Sequence, residues 1–162
     1  MGQDSVPMGI DFPTLWDLVS APFRGREKSL HGPEHWRRVE RNGLLLCEHT
    51  GANERVVRLF ALFHDSRRIN EGWDPEHGAR GAEYAADLRG KAFQLGDDEF
   101  ELLRYACVWH TEGTSHDDAT IATCWDADRL DLGRVGIVPD PLRMCTAMGR
   151  RMAGVGRISE LR

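Results

Sequence analysis

The chain has no apolar run near the ~18–20 residues needed to cross a bilayer; its longest apolar fragment, residues 44–47, is part of a helix. Its first eleven residues lack a basic flank and an apolar stretch, so no signal peptide is expected. The four cysteines, Cys47, Cys107, Cys124 and Cys145, form no C-x-x-C pair, which argues against a zinc ribbon or a redox pair. Three of them fall in apolar helical patterns, where a free cysteine is a small core residue, and a cytoplasmic location is expected. Positive charge is also in deficit, with a net charge of −5 and a pI near 5.8. Neither a nucleic acid nor a membrane surface is therefore expected as a partner, although a local basic pocket for a phosphate is compatible with that balance. Alternating strand patterns and internal repeats are missing too.

What is there is helical. The 162 residues are 41% hydrophobic and 29% charged, the ordinary mix of a globular domain. Apolar residues recur every three to four positions along most of the chain. The expected helices cover residues 12–19, 33–50 and the run after Asn53 that contains Val56, Leu59, Phe60 and Phe63. Gly51 is placed to end the second, and Asn53 to cap the third. An Arg24-Gly25-Arg26 loop separates the first two. Asp74-Pro75 reads as a cap followed by proline at the first helical position, opening a helix to about Gly90. Asp97 or Asp98 caps a fifth, residues 118–132 make a sixth, and Pro141 opens a last one to about Met152. The expectation is one all-α domain of about seven helices over residues 1–162, with its core at about 30–150 and flexible ends at 1–10 and 154–162.

Several of the seven histidines fall on apolar stripes. His64 lies one turn after Phe60, and His110 lies on the stripe of Leu103 and Cys107. His35 shares a stripe with Val39 and Leu46, and His77 one with Gly81, Tyr84 and Leu88. Four buried imidazoles without a common purpose would need four separate sets of partners. Gly32-Pro33-Glu34-His35 and Asp74-Pro75-Glu76-His77 both place histidine at the third helical position. The positive helix end there disfavours an imidazolium, so both are expected neutral, the form that binds a metal. His64-Asp65 ends an apolar run, whereas His116-Asp117 sits in a polar loop and His116 reads as solvated. Downstream, Trp125-Asp126-Ala127-Asp128-Arg129-Leu130-Asp131 sets three acids in an apolar helix, where a buried carboxylate needs a metal, an arginine or hydrogen bonds. Periodicity leaves open whether Asp126 or Asp128 points inward.

His35, His64-Asp65 and Asp126 follow the order H…HD…D, and over residues 33–136 the chain resembles the HD superfamily of metal-dependent phosphohydrolases. The stretch at residues 126–131 is similar to the D-A-D-R-L-D of small bacterial HD proteins, in which the first acid is the ligand; the resemblance thus selects Asp126. It also places His77 and His110 where two-metal members add histidines. It implies an all-α fold with a metal centre cupped between helices, held by His35, His64, Asp65, His77, His110 and Asp126. Ser66-Arg67-Arg68 stands where hydrolases of guanosine tetraphosphate carry Glu-Asp, and the Gly-Tyr-Pro of cyclic dinucleotide phosphodiesterases is missing. Both subfamilies are disfavoured.

Such a set of imidazoles and carboxylates suits one or two divalent ions, Fe, Mn, Co or Ni, with Mg or Zn also compatible. Asp65 would bridge two metals and serve the catalytic step, with water as nucleophile. Arg67 and Arg68 are the candidate phosphate-binding residues, Arg80 and Arg129 secondary ones, and Glu71 and Asp74 candidate orienting groups. The expected partner is a small phosphorylated substrate or nucleotide. An HD-fold di-iron oxygenase and a non-catalytic metal- or nucleotide-binding module remain alternatives.

Overall fold

The structure, a computed structural model, describes residues 9–23 and 29–160, with the backbone alone for 156–160. The expectations for the Arg24-Gly25-Arg26 loop and for residues 1–8, 161 and 162 lie outside these. Among these residues seven α-helices run in order: α1 Phe12–Ser20, α2 Pro33–Thr50, α3 Glu54–Phe63, α4 His77–Leu88, α5 Asp97–Trp109, α6 Ala119–Arg129 and α7 Ala147–Glu160. Two short 3-10 turns, Leu132–Val135 and Pro141–Arg143, join α6 to α7. Among the described residues there is no strand, only an isolated bridge between Arg89 and Phe93. The fold is all-α, as the periodicity predicts.

The core forms around α3, in which seven of ten residues are buried. Helices α2, α5 and α6 pack around it. From α2 come Trp36, Val39 and Leu46, all fully buried, together with Gly43, where a Cβ would overlap the Val57 side chain. Burying each large side chain contributes about 1.5–3 kcal/mol. The ends of α2 and α3 match the sequence signals: Gly51 adopts φ 70°, and the Asn53 side chain accepts from Val56 N at 3.2 Å.

Several boundaries differ from expectation. Helix α4 starts at His77, because the Asp74 carboxylate accepts from Ile69 N and Arg80 and so caps no helix. Gly96, not Asp97 or Asp98, is the cap of α5, while Asp97 pairs with Arg89. Pro141 opens only a 3-10 turn, and α7 begins after Thr146, whose Oγ1 accepts from Gly149 N at 2.9 Å. Residues 154–160, expected to fray, continue that helix.

Candidate metal centre

Helix α3 ends at Phe63, and its last turn continues through His64 and Asp65, both buried. Ser66 locks this turn by donating from Oγ to the Phe63 carbonyl at 2.9 Å. His35 arrives from the first turn of α2, His77 from the first residue of α4, and His110 from the end of α5. Glycine lets α4 come close: a Cβ at Gly81 would overlap the Phe63 carbonyl, and one at Gly78 the Cys107 carbonyl.

The donors form two groups, His35–His64–Asp128 and Asp65–His77–His110, within each of which the ligand atoms lie within 4.8 Å of one another. Asp65 joins them. Its Oδ2 lies 3.3 Å from His35 Nε2 and 3.4 Å from His64 Nε2, while its Oδ1 lies 3.2 Å from His77 Nε2 and 3.5 Å from His110 Nε2.

Each ring is oriented from behind. His64 Nδ1 donates to the Phe60 carbonyl at 3.0 Å, His77 Nδ1 to the Asp74 carbonyl at 2.5 Å and His110 Nδ1 to the Cys107 carbonyl at 2.7 Å. His35 Nδ1 donates to Asp131 Oδ2 at 2.6 Å, and Arg38 Nε holds the other oxygen at 2.8 Å. With all four Nδ1 atoms committed as donors, the Nε2 atoms face inward, at 3.1 Å between His35 and His64 and 2.9 Å between His77 and His110. Asp128 Oδ1 is buried there without a hydrogen-bond partner among the described residues, 3.2 Å from His35 Nε2 and 3.4 Å from His64 Nε2. Converging nitrogens plus carboxylate oxygens, with no thiolate, suit a divalent metal.

Burial acts to lower the pKa of His35, but the neighbouring carboxylates of Asp128, Asp131 and Asp65 outweigh it and raise the value to about 10. Burial opposes the charge of Asp65 and Asp128, yet the surrounding histidines hold both carboxyls well below their usual range.

The structure brings together His35, His64, Asp65, His77 and His110, but not Asp126. Asp126 is fully buried elsewhere, accepting from Cys145 N at 2.7 Å, Thr146 N at 2.8 Å and Thr146 Oγ1 at 2.7 Å. It anchors α7; Asp128, on the other side of α6, stands in the group.

The arginines also divide. Arg68 Nε lies 3.5 Å from Asp65 Oδ1. Arg67 does not join the centre: it is exposed, its guanidinium 3.8 Å from the centroid of Tyr84. Arg80 pairs with both oxygens of Asp74 at 2.6 Å, and Arg129 binds the carbonyls of Gly113, Thr114 and Arg143. Asp74 orients His77 through its carbonyl rather than its carboxylate. His116 is half-buried rather than solvated, with its ring 5.1 Å from Tyr105 and its Nδ1 accepting from Asp118 N at 2.9 Å.

Sequence reasoning passed over three groups. Asp131 orients His35. His31, 9% exposed, places Nδ1 3.6 Å from Asp65 Oδ2 and Nε2 3.8 Å from Glu71, which in turn accepts from Ser29. Arg134 Nη2 lies 3.8 Å from Asp128 Oδ1. Asp131 was legible as the acid one turn after Asp128, and His31 as the histidine four before His35; Arg134, in a 3-10 turn, carried no periodic signal.

Neither a family model nor a curated protein matches this sequence. Among solved structures, the chain is similar to the crystal structure of a predicted HD superfamily hydrolase from an uncultured Thermotogales bacterium. The two share 25% sequence identity with a TM-score of 0.76, over 94% of this chain and 88% of that one.

Proposed function

We propose that this chain, which belongs to the HD superfamily, is a metal-dependent hydrolase of a small phosphate ester or nucleotide. The observation that supports this reading most is the split of Asp65, one carboxylate oxygen toward each group of donors. His35, His64 and Asp128 would hold one divalent ion, His77 and His110 a second, with Asp65 shared between them. Divalent ions in such a pair activate water near neutral pH and stabilise charge on the attacking and leaving oxygens of an in-line displacement.

The chain's own residues have separable tasks. Asp131 and the carbonyls of Phe60, Asp74 and Cys107 fix ring orientation and direct the Nε2 lone pairs inward. Arg68, at the Asp65 side, supplies positive charge for a phosphoryl group. His31 and Glu71 lie on the Asp65 side as hydrogen-bonding groups for the leaving oxygen or its water. No helix among the described residues is long and apolar enough to cross a membrane.

Metal analysis of the purified protein, followed by a phosphate-release screen over nucleotides and sugar phosphates with Mn, Co, Ni and Mg, tests the proposal. Release with at least one metal, abolished by chelation, is expected. The set of four histidines and two aspartates equally suits an HD-fold di-iron oxygenase, and iron-dependent oxygen uptake without phosphate release would transfer the assignment to that class. Metal bound with no turnover of either kind would leave a binding module.

A further inference from the structure

Two guanidiniums at the rim of the centre, those of Arg68 and Arg134, have buried Nε atoms with no hydrogen-bond partner among the described residues. Arg134 is the more deeply set, its side chain 9% exposed. It stands in the Leu132–Val135 turn just after Asp131, and its Nη1 donates to the Asp131 carbonyl at 2.8 Å. That contact fixes the side chain. Its other edge, Nε and Nη2, makes no hydrogen bond among the described residues: Nη2 stops 3.8 Å from Asp128 Oδ1, beyond hydrogen-bond distance.

A guanidinium placed only to neutralise an acid closes on it. Arg38 does so on Asp131 at 2.8 Å and Arg80 on Asp74 at 2.6 Å. Arg134 does not, although both its charge and Asp128 are shielded from solvent. Leaving a buried donor unpaired is unfavourable, and the Nε–Nη2 edge is the parallel pair of donors that fits two oxygens of one phosphate.

We propose that Arg134 binds the phosphoryl group of the substrate through this edge, across the centre from Arg68, and that the substrate is thereby a phosphate monoester rather than a diester. This rests on the hydrolase reading above and narrows it. Arg68 flanks the Asp65 oxygen that faces His77 and His110, while Arg134 flanks the group around Asp128. Two guanidinium edges and two sets of metal donors around one phosphorus call for more acceptor oxygens than the two non-bridging atoms of a diester. A monoester offers three such oxygens, and up to two negative charges to set against the added cations.

The test is calorimetric titration of inorganic phosphate and of dimethyl phosphate into the nickel-loaded protein, repeated with R134Q and R134K. The wild type is expected to bind phosphate at least about tenfold more tightly than dimethyl phosphate. R134Q should lose about tenfold or more in phosphate affinity with its nickel content and helical circular dichroism unchanged. R134K, which keeps the charge but lacks the fork, should recover only part of that loss and decides the question if R134Q does not fold. Equal phosphate affinity in the wild type and R134K, or loss of nickel from R134Q, overturns the role of Arg134. Equal binding of phosphate and dimethyl phosphate overturns the monoester assignment. A nickel-loaded wild type that binds no phosphate sinks the hydrolase reading itself, and this inference with it.

Discussion

The two halves of the centre are supported in different ways. Around His35, His64 and Asp128 the backing is partly ionic: Asp131 sits behind His35, the Phe60 carbonyl sits behind His64, and Arg38 and Arg134 sit near the acids. Around His77 and His110 it is main-chain carbonyl, from Asp74 and Cys107, made possible by the close approach at Gly78 and Gly81. Apart from the shared Asp65, the first half adds the carboxylates of Asp128 and Asp131, whereas the second adds none. A carboxylate behind an imidazole makes it a stronger base and a stronger ligand. The first half should accordingly hold a cation more tightly, and the second should fill later and empty first under a chelator.

Asp65→Ala acts on both halves and carries the largest expected effect. Turnover should fall by about a thousandfold or more, as for removal of groups that act as a unit, while circular dichroism keeps its helical form. A variant that retains full metal content and rate would remove Asp65 from the centre. The comparison itself is broken or kept by the next pair. His77→Ala should leave about one tightly held ion per chain, because the ionically supported half is intact. Asp128→Asn should lose that ion and leave only weak binding. Equal loss from both variants, read by metal analysis after dialysis, would show that the halves do not differ. Asp131→Asn comes third, with metal affinity or rate reduced about 10–100-fold, the usual consequence of removing the partner behind a ligand histidine. Unchanged affinity there would mean that His35 needs no carboxylate behind it.

The legible parts of the sequence were those with helical periodicity behind them. The apolar stripes located α2 and α3 closely, and histidines out of place on such stripes located His35, His64, His77 and His110. Two kinds of information were not in the pattern. One was rotation about a helix: every position around α6 from Thr120 to Ala127 is buried, so periodicity could not tell which acid faced His35. The D-A-D-R-L-D resemblance then selected Asp126, although Asp131 follows Asp128 by one turn, just past the end of α6, and that pair converges on His35. The other was geometry outside regular helices. Arg134 and His31 lie in a 3-10 turn and a loop, where position along the chain implies no direction for the side chain.

The smallest expected effect on chemistry, and the sharpest check on that correction, comes from Asp126. It shares α6 with Asp128 and is more deeply buried, yet its oxygens are spent on two backbone amides and one hydroxyl at the start of α7. Asp126→Asn keeps one acceptor oxygen and turns the other position into a donor that faces donors. Leaving these groups unsatisfied should cost about 1–3 kcal/mol, which for a chain of this size lowers Tm by about 2–4 °C per kcal/mol. Metal content should stay at the wild-type level, since the donors of both groups are untouched. Asp128→Asn should show the reverse, losing metal with a smaller change in the metal-free Tm. If Asp126→Asn instead lost its metal at an unchanged Tm, the first acid of the stretch would return to the ligand set and the anchor of α7 would need another explanation.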